Sequence, residues 1–246
     1  MIEIANNKLM VSVYRDFKTN LGDRNLIEIF QEIKTDTYQS DINSIRYALH
    51  KGDDKTADEI KSSLTGFTMS GTFGKSRTKT NLNNYSQIIG LDFDHIPVAE
   101  LNKLVTLIND CKFTFASFIS PSGEGIKIFI KVNTNAEHHS IAYNQVANHY
   151  KVISGYDFDP KCKDITRLCF VSCDADLFLN ENATIFEVQD QIQQPQKVSK
   201  NETVQNPSSD ELLDKCLKFT EQKDQYYKGN RNNFIHLFAS NSNRFG

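Results

Sequence analysis

The sequence predicts an α+β fold with a ferredoxin-like or RNA-recognition-motif-like β-α-β-β-α-β core, an N-terminal α/β extension and a C-terminal helical segment. Two observations support this prediction. From residue 88 onward, apolar runs of strand length alternate with longer runs of helical periodicity in that order. The 246 residues are 39% hydrophobic and include 17 Phe and 9 Tyr, which is enough for a sizeable core.

The segment before the core has strand and helix signals of its own. Ile42, Ile45 and Leu49 recur at the i, i+3 and i+7 spacing of a helical face. A strand is predicted over 9–14, a strand that runs into a loop over 66–73, and helices over 25–33 and around 42–49. These elements form the N-terminal α/β extension.

The core begins with a strand that contains two acidic residues. Its predicted elements are a strand over 88–95, a helix over 98–109, a strand over 113–119, a turn over 120–125, a strand over 126–132, a helix over 137–153 and a strand over 165–172. The number and order of the elements support the predicted fold more strongly than any single boundary does.

The composition changes after Val188. Gln, Asn, Ser, Lys and Pro dominate the next twenty or so residues, a composition typical of flexible linkers. Apolar residues then return at helical spacing. We therefore predict a domain over 1–188, a linker over 189–209 and the start of a helical domain over 210–246.

Bulk properties limit the possible functions. The net charge of −3 excludes a global basic field, so any nucleic-acid binding depends on a local patch or on metal ions. No apolar run approaches the ~18 residues of a membrane span, and the N-terminus lacks a signal-peptide pattern. No membrane partner is therefore expected. Five cysteines without a C-x-x-C pair predict a reduced, cytoplasmic protein. A zinc site using Cys162, Cys169, Cys173 and a histidine is an alternative with non-standard spacing.

The acidic strand contains the first candidate site. Because strand residues alternate between faces, Asp92 and Asp94 share a face with Gly90, while the apolar residues between them point into the core. Their Cα atoms are expected about 6–7 Å apart, which suits one or two divalent cations. Gly90 is expected to leave room for a substrate near the backbone. The alternative is an edge strand with a solvated polar face.

The turn between the next two strands contains the second candidate site. Ser120, Ser122 and Gly123 offer hydroxyl groups and a flexible backbone to an anion, and Lys127 lies on the face opposite the isoleucines of its strand. A lysine at this place suits a phosphate group. An ordinary glycine-rich hairpin is the alternative.

A third cluster precedes the final strand. Asp157 and Asp159 repeat the period-two spacing, and either of them is a candidate to complete a carboxylate set with the acidic strand. Arg167 is a candidate to bind a phosphate or, alternatively, to form a structural ion pair with Asp164.

A short basic run precedes the acidic strand. Lys75, Arg77 and Lys79 lie within five residues, and they are candidates for contacts with nucleic-acid phosphates. A solvated loop is the alternative.

Taken together, these motifs resemble a known family. S-G-T-F near residue 70 and I-I-G-L-D-F-D-H at 88–95 are followed by S-P-S-G-E-G-I-K at 120–127 and D-P-K-C-K-D-I-T-R-L-C-F-V-S-C-D at 159–174. They resemble the VirE N-terminal (BT4734-like) domain of the archaeo-eukaryotic primase superfamily, over roughly residues 8–185. The tail, with Y-Y-K-G-N-R-N-N-F-I-H-L-F-A at 226–239, is similar to the start of the helical domain that follows in such proteins.

The resemblance implies roles for the candidate residues. Metal ligands are expected at Asp92, Asp94 and Asp159, and nucleotide-phosphate contacts at Ser120, Ser122, Gly123 and Lys127, with Arg167 nearby. One position differs, because the wider superfamily commonly has histidine where this chain has Lys127. Lysine keeps the positive charge but not the geometry or the titration of an imidazole.

The implied activity is that of a DNA primase/polymerase of a plasmid, phage or mobile element. It would transfer nucleotides onto a 3′-hydroxyl with two Mg²⁺ or Mn²⁺ ions. The implied partners are nucleoside triphosphates, single-stranded or primed DNA, and a helicase or other replication protein. The alternative is a catalytically inactive module that binds single-stranded nucleic acid or a replication partner. A rolling-circle nicking enzyme is disfavoured, because His138 and His139 are adjacent and do not form a His-x-His pair.

Overall fold

A computed structural model describes residues 9–94, 96–189 and the tail residues 214, 216–218, 220, 221, 234, 235, 238 and 239. The chain divides into two compact units, Met1–Asp190 and Gln191–Gly246. The predicted linker lies almost wholly outside the described residues. The described tail residues have helical conformation, and the helical domain over 210–246 stays a prediction.

The first unit alternates strands with helices in a mixed α+β arrangement. Its strands are β1 Met10–Arg15, β2 Thr19–Asn25, β3 Thr65–Thr68, β4 Gly71–Phe73, β5 Leu82–Tyr85, β6 Ile88–Phe93, β7 Thr114–Ile119, β8 Ile126–Lys131, β9 Leu168–Phe170 and β10 Phe178–Leu179. Its α-helices are α1 Leu26–Lys34, α2 Gln39–His50, α3 Asp54–Ser63, α4 Val98–Asn109 and α5 His139–Ser154. A 3₁₀ turn spans Pro160–Lys163.

The N-terminal extension supplies most of one antiparallel sheet, in the order β2-β1-β3-β9. Asn25 ends β2 and accepts a hydrogen bond from the backbone N–H of Ile27, which caps α1 and turns the chain onto the sheet. The predicted strand and loop over 66–73 contain two strands, of which β3 joins this sheet whereas β4 pairs with β5 in a separate ribbon.

The core strands form a second antiparallel sheet, in the order β10-β7-β8-β6. Helices α4 and α5 cover one of its faces. Ser117 of β7 donates to the side chain of Asn109 on α4 at 2.5 Å, and Thr114 is hydrogen-bonded to Tyr150 of α5 at 2.7 Å. The apolar residues of β6 face this helical layer, as the alternation predicts.

An aromatic cluster fills the space on the other face of the second sheet. Phe129 of β8 stacks on Phe67 of β3 and on Phe118 of β7, and it meets Phe30 of α1 edge-on at 4.9 Å between ring centroids. The cluster joins the extension to the core. The first sheet and α1 therefore cover the face that carries Asp92.

The ferredoxin-like sheet predicted for the core is only partly present. Strands β6, β8 and β7 are neighbours in the expected order. The last predicted strand of the core, β9, instead pairs with β3 in the first sheet, with Phe67 opposite Cys169. Along β6, the backbone N–H of Asp159 donates to the carbonyl of Asp92 at 3.0 Å, and Pro160, which has no N–H, follows directly. Strand β9 starts only at Leu168 and pairs with β3 instead of β6.

No helix among the described residues is both long and apolar enough to span a membrane.

Candidate functional site

The centre of the site is an ion pair between two neighbouring strands. The antiparallel register of β6 and β8 places Asp92 directly opposite Lys127, so their side chains share one face of the sheet. The Lys127 ammonium donates to Oδ2 of Asp92. The side chain of Lys127 is only 11% exposed and that of Asp92 only 13%. The structure therefore places the predicted metal ligand and the predicted phosphate-binding lysine in direct contact.

One oxygen of this buried pair lacks a partner. Oδ1 of Asp92 is buried and accepts no hydrogen bond within the described part of the chain. Burial raises the pKa of Asp92; Lys127 opposes this rise, while Asp94 and Asp159 add to it. Burial disfavours the Lys127 ammonium, but the charge of Asp92, its hydrogen bond with Lys127 and the further charge of Asp94 act against burial, and the pKa of Lys127 is raised. A buried carboxylate oxygen without a donor is suited to a cation or to a proton donor brought by a ligand.

Asp94 follows the last residue of β6 and is exposed. Its charge acts on Asp92, as the shared face predicts. Over residues 9–94, 96–189 and the described tail positions, no three His, Cys, Asp or Glu side chains converge to hold a metal ion. The three predicted metal ligands, Asp92, Asp94 and Asp159, therefore do not form a three-carboxylate site among the described residues. The alternative zinc site also has no cluster of ligands there.

Asp159 lies beside the strand but is already engaged. Its Oδ1 accepts from the backbone N–H of Lys161 at 2.9 Å and caps the 3₁₀ turn, while Oδ2 pairs with Arg167 at 3.2 Å. Arg167 therefore pairs with Asp159 and not with Asp164, which was the structural partner expected from the sequence. The alternative third carboxylate, Asp157, is 82% exposed and pairs with Lys151.

The turn between β7 and β8 is tightly organised. Ser120 and Ser122 share a hydrogen bond between their hydroxyl groups at 3.0 Å, and Gly123 has a φ of +82°. A Cβ on Gly125 would lie 2.2 Å from the carbonyl oxygen of Phe93, so only glycine allows the turn to approach the end of β6. The predicted phosphate turn therefore lies against the strand that carries Asp92.

Sequence reasoning missed one residue at this turn. Arg46 of α2 donates from Nε to the carbonyl of Pro121 and from Nη2 to the carbonyl of Ser120, both at 3.3 Å. Its third acceptor is the carbonyl of Cys173 at 3.5 Å. The only available signal was its position next to buried Ile45 on a helical face, and such a signal does not indicate a contact 74 residues away.

The basic loop separates into two kinds of residue. Lys75 and Lys79 are exposed, as a phosphate-binding loop requires. Arg77 is half-buried: it donates to the carbonyl of Thr166 and lies over the ring of Tyr14 at 5.6 Å. Burial lowers the pKa of Arg77. Lys75 and Lys79 therefore remain candidates for DNA contacts, whereas Arg77 connects the loop to the first sheet.

The space expected beside Gly90 is filled. A Cβ at this position would lie 2.1 Å from the sulfur atom of Met69. The glycine admits a side chain of the protein itself, so the expectation that it leaves room for a substrate is wrong. Met69 follows β3, and this close approach brings the two sheets together at the acidic strand.

Two cysteines lie close to the ion pair. Cys162 and Cys169 are buried free thiols within electrostatic range of Lys127 and Asp92. Burial raises the pKa of Cys162 to about 12 and also raises the pKa of Cys169. Both groups are therefore protonated thiols that pack against the site.

A comparison with known proteins adds one finding to this geometry. No curated protein and no solved structure matches the chain. The resemblance inferred from the motifs is confirmed for a central segment, while the C-terminal primase-like helical domain stays a prediction. Residues 59–179, which include the acidic strand, the serine turn and Arg167, match the family model of the BT4734-like N-terminal domain, a domain of the VirE N-terminal and primase-polymerase group.

Proposed function

We propose that the protein is a DNA primase/polymerase that transfers nucleotides onto a nucleic-acid 3′-hydroxyl with the help of divalent metal ions. The observation that carries the proposal is the buried Asp92, which has one unpartnered oxygen, next to exposed Asp94. The family match over 59–179 supports the same class of function. A plasmid, phage or other mobile element is the proposed genetic context.

The residues present suit a metal ion that is held partly by its substrate. Mg²⁺ is usually bound through one or two carboxylates together with substrate phosphates, and it needs no complete protein cage. Asp92 Oδ1 and the Asp94 carboxylate would supply these protein ligands. When bound, Mg²⁺ or Mn²⁺ would acidify the attacking 3′-hydroxyl and neutralise charge on the triphosphate. Asp159, which caps a turn and pairs with Arg167, would then be a neighbour that orients Arg167.

The other residues would position the nucleotide. The serine turn lies against the end of β6 and would place phosphate oxygens beside Asp94. The bonded Lys127 would keep Asp92 ionised, because the ammonium offsets the cost of burying a carboxylate. Exposed Lys75 and Lys79 would contact the phosphates of the DNA template. A helicase or another replication protein is the proposed protein partner.

A specific observation favours a second candidate function. The Lys127 ammonium already neutralises Asp92 without a metal ion. In that reading the chain is an inactive primase-fold module that binds single-stranded nucleic acid or a replication partner.

Nucleotide incorporation on single-stranded and primed DNA with Mn²⁺ or Mg²⁺ separates the two functions. We expect Asp94→Asn, which changes an exposed side chain, to lower incorporation by at least about 100-fold without lowering the melting temperature, because removing a charged group from a catalytic site costs about 3 kcal/mol or more. Asp58→Asn, which changes an exposed aspartate on α3, is the matched control. DNA binding without any incorporation by the wild type would favour the binding module.

A further inference from the structure

The predicted phosphate-binding cations of the site are already neutralised by carboxylates. Lys127 is bonded to Asp92, and Arg167 pairs with Asp159 at 3.2 Å. A nucleoside triphosphate brings several negative charges, which need cations that are not already paired. If metal ions offset only part of this charge, the protein needs a further positive group near the serine turn.

Arg46 is such a group. Its guanidinium donates to the main-chain carbonyls of Ser120, Pro121 and Cys173 at 3.3–3.5 Å. Among the ion pairs of the described residues, none involves Arg46. Carbonyl dipoles hold the guanidinium in place but leave its unit charge uncompensated. The side chain therefore adds a positive charge directly at the turn.

Arg46 lies directly against the turn. The φ of +82° at Gly123 favours glycine, and a Cβ at this position would be in ordinary contact with Nε of Arg46 at 3.4 Å. The hydroxyl groups of Ser120 and Ser122, 3.0 Å apart, lie on the same turn. Nε and Nη2 of Arg46 donate to the three carbonyls, so Nη1 is the nitrogen left to donate to a phosphate oxygen at this turn.

The position of Arg46 is fixed by the core of the extension. Ile42, Ile45 and Ala48 of α2 are buried, while Arg46 itself is half-buried. A side chain on a packed helix provides a more precise contact than one on a free loop. Arg46 lies outside the matched segment 59–179, so the N-terminal extension would contribute a residue that this segment lacks.

We propose that Arg46 binds a phosphate of the incoming nucleotide at the serine turn. This inference rests on the proposed function, since it specifies how the same site recognises a nucleoside triphosphate. The ligand it selects is a polyphosphate: the contribution of Arg46 grows with the number of phosphates and is absent for a nucleoside.

The test compares dATP, dADP and deoxyadenosine in equilibrium binding with Mn²⁺ to the full chain. We expect Arg46→Gln to weaken dATP binding by about 10- to 100-fold, the value of a hydrogen bond to a charged group, and to leave deoxyadenosine binding unchanged. Arg46→Lys, which keeps the positive charge but not the planar guanidinium, should give an intermediate loss of dATP binding. Arg24→Gln, which removes a half-exposed arginine far along the sequence from the turn, is the matched control.

The outcomes separate the two proposals. An Arg46→Gln variant that binds dATP as tightly as the wild type, or that loses all three ligands equally, overturns the phosphate contact and leaves the proposed function standing. Wild-type protein that binds no dATP with Mn²⁺ overturns both. Melting temperatures of all variants show whether a loss of binding reflects unfolding. If Arg46→Gln is unfolded, Arg46→Lys takes its place: weaker dATP binding with unchanged deoxyadenosine binding supports the phosphate contact, and unchanged dATP binding overturns it.

Discussion

Two ion pairs in the first unit use similar chemistry in different surroundings. Arg24 and Glu32 form a two-pronged pair with N–O distances of 3.1 and 2.7 Å, and Tyr38 donates to the same carboxylate at 2.6 Å. Their side chains are 37% and 30% exposed. Lys127 and Asp92 are far more buried, and only one oxygen of Asp92 is bonded within the described residues.

The difference distinguishes a structural pair from a candidate functional one. Each oxygen of Glu32 has a donor, so the pair needs nothing more and ties α1 to β2. The second oxygen of Asp92 pays the desolvation cost of burial without a hydrogen bond in return. A buried charged group with an unbonded oxygen calls for a physical explanation, and a bound cation would supply one, which is the basis of our proposal for Asp92.

Lys127→Met tests this comparison with the largest expected effect. Removing the ammonium leaves a buried carboxylate unpaired, so we expect the free energy of unfolding to fall by about 3–5 kcal/mol in chemical denaturation. The double variant Asp92→Asn/Lys127→Met should recover much of this loss, because no buried charge remains. A loss of 1 kcal/mol or less for Lys127→Met would show that the pair behaves like a surface pair.

Gly90→Ala tests how tightly the surroundings of the buried pair are packed. The added methyl group would overlap the sulfur of Met69, so we expect a loss of about 1–3 kcal/mol in the same measurement. In a Met69→Ala background, the added cost of Gly90→Ala should nearly vanish. Equal costs in both backgrounds would place the strain elsewhere.

Glu32→Gln tests the exposed pair and has the smallest expected effect, up to about 1 kcal/mol at neutral pH. The hydrogen bond from Arg24 holds the pKa of Glu32 below its ordinary value of 4.5. The pair therefore stabilises the protein above pH 4.5, and this contribution is lost as the pH falls through the lowered pKa of the folded state. Denaturation between pH 7 and 3 should show a smaller acid loss for Glu32→Gln than for the wild type.

Local patterns predicted the parts of the site that depend on neighbouring residues in one strand. The alternation of β6 placed Asp92 on the face opposite the core residues Ile89 and Leu91. The same rule placed Lys127 opposite the isoleucines of β8. The register between these two strands then brought the predicted ligand and the predicted cation together.

Contacts between distant segments were beyond such patterns. The pairing of β9 with β3 depends on which sheet edge is available, and the position of Arg46 depends on how α2 packs. The alternative of a structural pair between Arg167 and Asp164 named the wrong partner, since Arg167 pairs with Asp159. The spacing of charged residues along the sequence does not indicate which distant segments come into contact.

The position of β1 beside β3 also determines which fragments of the protein can fold. Strand β1 lies between β2 and β3, and Phe30 of α1 packs on Phe129 of the second sheet. A fragment cut at the limits of the matched segment, 59–179, would lose β1, β2 and α1. It would expose one edge of β3 to aggregation and remove an aromatic ring from the core. The matched segment is therefore smaller than the packed unit, and we expect the site to fold stably only in a chain that includes β1.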